Sequence, residues 1–285
     1  MTGIPLDTPW LQVLRLSPAV AMRLEAAPPE AGRVHSVFKR AVNLSWHDGG
    51  LLTLQAPGAL AAPFAAVLAR MPGADAIHPG VSVGRRGDAL VLGGVGVRWR
   101  GATLTDTAVS ENSGAPPPAL AVLMDESLGQ SGRALWSPIG QRARSRLAEG
   151  LRRRHVETFL DGAFGLIGLG EGLTPAGDDC LVGALGVIQR FARPWLAAHP
   201  EIQASVRQRA WTGTTVVARE FIVHALAGHF AESVVDLLEA DSVEAARRGA
   251  ARLLGAGATS GSDTLLGIRL ALAALRVRDW SAIKG

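Results

Sequence analysis

Lysine is nearly missing from this sequence. Only Lys39 and Lys284 occur in 285 residues, and arginine supplies the rest of the 29 cations. Arginine does not titrate in the ordinary range, so a pI of about 10.4 coexists with a net charge of only +4. A field that weak argues against a nucleic-acid partner. The absence of tyrosine, with aromatics at 5%, also leaves few platforms for stacking bases. Cysteine occurs once, as Cys180, which excludes an intramolecular disulfide framework and a cysteine-cluster metal site. No uncharged apolar run reaches the roughly 18 residues that a bilayer span needs. Met1–Asp7 lacks a basic start leading into an apolar stretch, so no signal peptide is predicted and the expected location is cytoplasmic, with no membrane partner.

What is present is a core-forming composition. Hydrophobic residues make up 48% and charged residues 19%, enough for one large domain or two modest ones and incompatible with a disordered chain. The pattern changes in the middle. Residues 1–110 read as a β-rich domain, a small antiparallel sheet or barrel. Arg33–Trp46 holds alternating and β-branched stretches, His47–Gly50 is a turn, and Leu51–Gln55 returns. Gly93-Gly94 joins Ala89–Leu92 to Val95–Trp99 as a hairpin, Gly84–Gly87 reads as a further turn, and Gly58–Arg70 as a helical exception. Residues 111–118, ending in three prolines, read as a linker. From 119 to 285 the composition turns to Ala, Leu and Arg with spacing near 3.6. The prediction is an all-α bundle with helices near 118–128, 138–162, 176–192, 200–210, 213–229, 231–239, 242–253 and 263–278. The overall class is therefore α+β. Within it, the Arg142, Arg144, Arg146 and Arg152–Arg154 cluster, interrupted by Glu149 and Glu157, reads as a solvated helix face.

Two glycine-led helix starts resemble one another. Gly168-Leu-Gly-Glu-Gly-Leu-Thr-Pro-Ala-Gly-Asp-Asp-Cys-Leu-Val-Gly183 has a later counterpart in Gly255–Gly267. Gly177 aligns with Gly261, Asp179 with Asp263, Leu181 with Leu265 and Gly183 with Gly267, while Thr174 and Thr259 lie just upstream. This reads as a degenerate internal repeat. Structure alone accounts for part of it: Thr174-Pro175 fits an N-cap with proline at the first helical position, Asp178 and Asp179 oppose the helix dipole, and Ser260–Asp263 has capping-box spacing. Capping does not require so many glycines, each of which costs up to about 1 kcal/mol near a helix. Free amides at a glycine-rich helix start suit an anion. Neither a dinucleotide fingerprint nor a P-loop fits, because the glycine spacing is wrong, helices follow, and no Gly-Lys-Ser/Thr is present. The adjacent acids would repel a bare phosphate, so arginine or Mg²⁺ would have to compensate; no cofactor is required by the sequence itself.

Other candidates have plainer readings. Glu220 and His224 stand i, i+4 without a third ligand, as a helix-surface pair. Cys180 falls one turn inside a helix, as a small core residue. His35 and His78 lie among strands and carry no partner signal.

The Gly168–Gly183 motif resembles the signature of the AllH family, which includes a subunit associated with oxamate carbamoyltransferase in anaerobic allantoin breakdown. Gly32–Phe38 with Asn43, Thr212–Thr215 and Thr259–Asp263 extend the resemblance from about residue 30 to 275. Ala176 departs from the commoner serine, removing a hydroxyl but no backbone amide. The resemblance implies carbamoyl transfer between oxalurate and phosphate, giving oxamate and carbamoyl phosphate, within a complex of several different subunits. On resemblance and chemistry together, Asp178, Asp179 and Asp263 are the candidate catalytic residues. Gly170, Gly172, Thr174, Gly177, Thr259, Ser260, Gly261 and Asn43 are candidates for binding a small anionic substrate. The alternative is a non-catalytic scaffold subunit that binds a metabolite or nucleotide.

Overall fold

A computed structural model describes residues 9–73, 75–112, 115–124 and 131–276. The chain divides between Thr107 and Ala108 into two compact units. Among the described residues no helix is long and apolar enough to cross a membrane.

The first unit is built from β1 (Trp10–Leu16), α1 (Pro18–Glu25), β2 (Glu30–Phe38), β3 (Ala41–Trp46), β4 (Leu51–Gln55), β5 (Ala65–Leu68), β6 (Ser82–Arg86), β7 (Ala89–Leu92), β8 (Val95–Arg98) and β9 (Thr103–Leu104). The strands run in the order β5-β4-β3-β2-β6-β7-β8-β1-β9, and a further β5–β1 pairing closes the first eight into a barrel. Closure leaves those eight strands no open edge. The expected antiparallel sheet is corrected here to a mixed one: β1 runs parallel to β8 and β9, and β4 parallel to β5. Gly58–Arg70 is the clearest error of local reading. Its Ala-rich composition favours a helix, but Ala65–Leu68 is the strand that closes the ring, and it is buried throughout. Pairing on both sides, with small side chains that fit where both faces are covered, overrides propensity. Gly84 and Arg85 likewise lie inside β6, with the turn displaced to Gly87–Asp88. Helix α1, not anticipated, carries an ordinary start signal: Ser17 Oγ accepts from Val20 N at 3.2 Å and Pro18 takes the first turn. The Gly93-Gly94 hairpin forms as expected.

The second unit is helical. A 3-10 helix (Pro118–Met124) is followed by α2 (Arg133–Trp136), α3 (Pro138–Arg153), α4 (Val156–Leu166), α5 (Ala176–Phe191), α6 (Arg193–Ala198), α7 (Pro200–Gly213), α8 (Val216–Leu226), α9 (Glu232–Leu238), α10 (Val243–Leu254) and α11 (Ser260–Arg276). The ends of the predicted helices 118–128 and 263–278, and Ser113-Gly114 of the predicted linker, lie outside the described residues. The single predicted helix 138–162 is two. Arg154 adopts a left-handed backbone, φ 57°, and His155 accepts from Thr158 N to start α4. Ser137, Thr215 and Ser242 cap α3, α8 and α10 through their hydroxyls. Segment 108–112 is tied to this unit: Ser110 N and Oγ both donate to Glu239, and Asn112 N donates to the Arg190 carbonyl.

At the centre, α5 and α11 cross backbone on backbone. A methyl group on Gly183 would stand 2.0 Å from the Thr264 carbonyl oxygen. One on Gly267 would stand 1.8 Å from that of Cys180. The contact is reciprocal and leaves no room for any other residue. Gly267→Ala is therefore expected to destabilise the chain by about 2–3 kcal/mol through overpacking. Gly172→Ala meets no neighbour within 4 Å and strains only its own positive φ, so about 1 kcal/mol is expected. Chemical-denaturation midpoints of the two variants check this ordering.

Candidate functional site

The helix crossing brings the two glycine-led starts together. Each helix begins with a glycine resting on the end of the helix before it: Gly177 on the Leu166 carbonyl at the end of α4, and Gly261 on the Leu253 carbonyl at the end of α10. The loops then meet. Thr174 Oγ1 and Ser260 Oγ lie 2.8 Å apart, and both hydroxyls engage the Asp179 carboxylate. Thr174 is thus not an N-cap. Pro175 occupies that position without a capping side chain, because the threonine hydroxyl turns towards the second loop. The expected capping box at Ser260–Asp263 is replaced in the same way. Asp263 is held by the Thr259 hydroxyl and by Gly132 N, 2.7 Å from its Oδ1.

Three acids now fall into two kinds. Asp178 is fully engaged: Oδ1 accepts from Gly168 N at 3.0 Å and Oδ2 from Thr214 Oγ1 at 2.5 Å. It fastens the glycine loop to the approach to α8. The loop is pinned a second time by Thr215, whose hydroxyl donates to the Leu173 carbonyl. Asp179 and Asp263 are different. They are 8% and 0% exposed, and Oδ2 of each finds no hydrogen-bond partner among the described residues. One residue before Gly132, the buried Ser131 hydroxyl is in the same condition. A methyl group on Gly132 would lie 2.6 Å from the Ala176 methyl and 3.4 Å from Asp263 Oδ2, which places that oxygen at the first turn of α5. Gly132 and Ser131 carry no sequence signal of their own and were not anticipated.

Burial raises all three acids above the ordinary carboxylate range. Asp178 is pushed up to about 6 by desolvation, against the opposing hydrogen bonds from Thr214 and Gly168. Asp179 is raised well beyond its usual value by desolvation, with the charges of Asp263 and Asp178 adding to the effect, and Asp263 is raised by desolvation. Cys180 is fully buried and its thiol is pushed up to about 12, mainly by desolvation. It is a packing residue, not a nucleophile.

The glycine loop supplies amides. Gly168, Gly170 and Gly172 all have positive φ, at 76°, 122° and 92°. Among the described residues the amides of Gly170, Glu171 and Gly172 donate to no protein acceptor. The loop from Gly170 to Leu173 is exposed, and Thr174, Thr259 and Ser260 are half-buried. Asn43 belongs to the barrel unit. There its side chain donates to Ser36 Oγ at 3.1 Å and accepts from Thr53 Oγ1 at 2.8 Å. Among the described residues no three His, Cys, Asp or Glu side chains group as a metal cage. Glu220 is buried against Arg219 with no such cage around it.

The raised value of Asp178 carries a pH dependence. Its folded-state pKa lies above the unfolded one, so the folded chain holds the extra proton. The stability this confers is complete below about pH 4 and is lost as pH rises through 6, a change of about 2–3 kcal/mol. Asp178→Asn should remove that part of the slope. Melting temperatures of both proteins from pH 4 to 7.5 test the difference.

No solved structure matches the chain at a significant level. The family model described as oxamate carbamoyltransferase subunit AllH matches residues 166–272, which span the glycine loop, both helix starts and the α5–α11 crossing. A second model, the AllH family N-terminal domain, matches residues 12–104, the barrel. With most of its length and both of its units covered by these two models, the chain belongs to the AllH family.

Proposed function

We propose that this chain takes part in carbamoyl transfer as one subunit of a cytoplasmic oxamate carbamoyltransferase serving allantoin-derived nitrogen breakdown. The reaction would join oxalurate and phosphate to give oxamate and carbamoyl phosphate. Its site would lie where the α5 and α11 starts meet. The observation that carries this reading is the pair of buried carboxyl oxygens, on Asp179 and Asp263, that find no hydrogen-bond partner among the described residues. The family description supports the chemistry.

The residues suit the atoms that move. A phosphate oxygen attacks the ureido carbonyl of oxalurate, the carbonyl oxygen gains negative charge, and the C–N bond breaks as the leaving amide takes up a proton. The amides of Gly170 and Gly172, which donate to no protein acceptor among the described residues, would hold anionic oxygens. The carboxylates of Asp179 and Asp263 would orient the substrate N–H groups, and the attacking hydrogen phosphate gives up its proton to the leaving nitrogen. Asp178, with both oxygens engaged, acts as a positioning residue for the loop.

We further infer that α4–α5 and α10–α11 are copies of one helix–loop–helix unit. The matched glycines at each start and the reciprocal glycines at the crossing support it.

The test is reconstitution of the chain with its companion subunits, following carbamoyl phosphate formed from oxalurate and phosphate. Asp179→Asn and Asp263→Asn should each lower kcat at least about 100-fold. Asp178→Asn should act less, and chiefly on KM. Full activity in the first two variants would exclude this site. Ligand-induced thermal stabilisation, with turnover unaffected by either substitution, would favour the non-catalytic scaffold instead.

A further inference from the structure

Two carboxyl oxygens that find no partner among the described residues need an explanation that packing does not provide. Leaving a carboxylate oxygen buried and unpaired costs several kcal/mol, and here it happens twice in one place. Protonation lowers that cost in the free chain, the direction in which burial pushes both acids, and still leaves one oxygen of each carboxyl facing no donor.

The surrounding hydrogen bonds have a consistent sense. On Asp179 the hydrogen-bonded Ser260–Thr174 hydroxyl pair supplies a donor and leaves Oδ2 unpaired, and on Asp263 the Thr259 hydroxyl and Gly132 N do the same. One oxygen of each carboxylate is thus fixed by donors while the other is presented. Carboxylates that ligate metal ions are oriented in this manner.

We propose that Oδ2 of Asp179 and Oδ2 of Asp263 together hold a divalent, oxygen-seeking cation of the magnesium or manganese class. Thr174, Ser260, Thr259 and Gly132 act as the residues that aim them. Two carboxylates without a third protein ligand suit such an ion, which keeps several waters and completes its shell with substrate oxygens. The same donor set is wrong for zinc, which takes nitrogen or sulfur in a closed tetrahedron. The proposal deepens the functional reading and rests on the same site. The cation would supply the positive charge that lets phosphate approach three acids.

Two measurements on the full-length chain test it without turnover. In the first, Mn²⁺ is titrated and free ion followed by electron paramagnetic resonance. One bound ion per chain is expected, with affinity at least about tenfold weaker in Asp179→Asn and in Asp263→Asn, near-UV circular dichroism being retained. In the second, Fe²⁺ with ascorbate and peroxide replaces Mn²⁺ in the unmutated chain, which decides the matter should either variant misfold. Backbone cuts are expected near Gly132, between Thr174 and Asp179, and between Thr259 and Asp263. Absence of Mn²⁺ binding up to millimolar concentration, unchanged affinity in both variants, or cuts confined to other segments would each overturn the proposal. Carbamoyl transfer that proceeds fully in chelator would overturn the cation's role while leaving the functional reading intact, and metal binding by a chain inactive in reconstitution would do the reverse.

Discussion

The closeness of α5 to α11 is the constraint from which the rest of the helical unit follows. Two glycines, one on each helix, let a backbone carbonyl of the partner occupy the space where a side chain would be. Because the contact lies within two turns of both helix starts, it fixes the distance between the loops that precede them. Thr174 and Ser260 meet for that reason, and Asp179 and Asp263 are buried against the same seam. Separating the helices enough for a single methyl group would move every polar atom of the site.

The site shows how hydrogen bonds sort residues of one type into different roles. Asp178 and Asp179 are neighbours in sequence, both in the first turn of α5, and both buried. One spends its oxygens on a loop amide and a threonine hydroxyl, which is structural work. The other keeps an oxygen in reserve. Burial alone would not distinguish them, and neither would charge. What separates them is how many donors the surrounding backbone and hydroxyls bring to each oxygen.

Much of this was readable from the sequence, and the exceptions have physical causes. The division into a β-rich and a helical part follows from periodicity, and the positions singled out in the two loops include Thr174 and Ser260, which meet. The motif carried the family as well. The errors fall where tertiary contacts outweigh local preference. Ala65–Leu68 has helix-forming composition but becomes a barrel strand because β1 and β4 flank it. The parallel pair β1–β8 joins segments distant in sequence and leaves no local trace. Thr174 looks like a cap and is not one, because a hydroxyl on another helix offers a better partner than its own backbone. Gly132 and Ser131 have no motif at all; they reach the site through folding of the α2 approach.

The burial of Cys180 has a practical bearing. The chain contains no other cysteine, and this one lies under the helix crossing with a thiol that remains protonated in neutral solution. The native surface is therefore silent towards thiol-directed reagents. A cysteine introduced on the exposed tip at Glu171 or Leu173 would be the sole attachment point for a spin label or fluorophore, so motion of that loop can be followed without first engineering the chain clear of background.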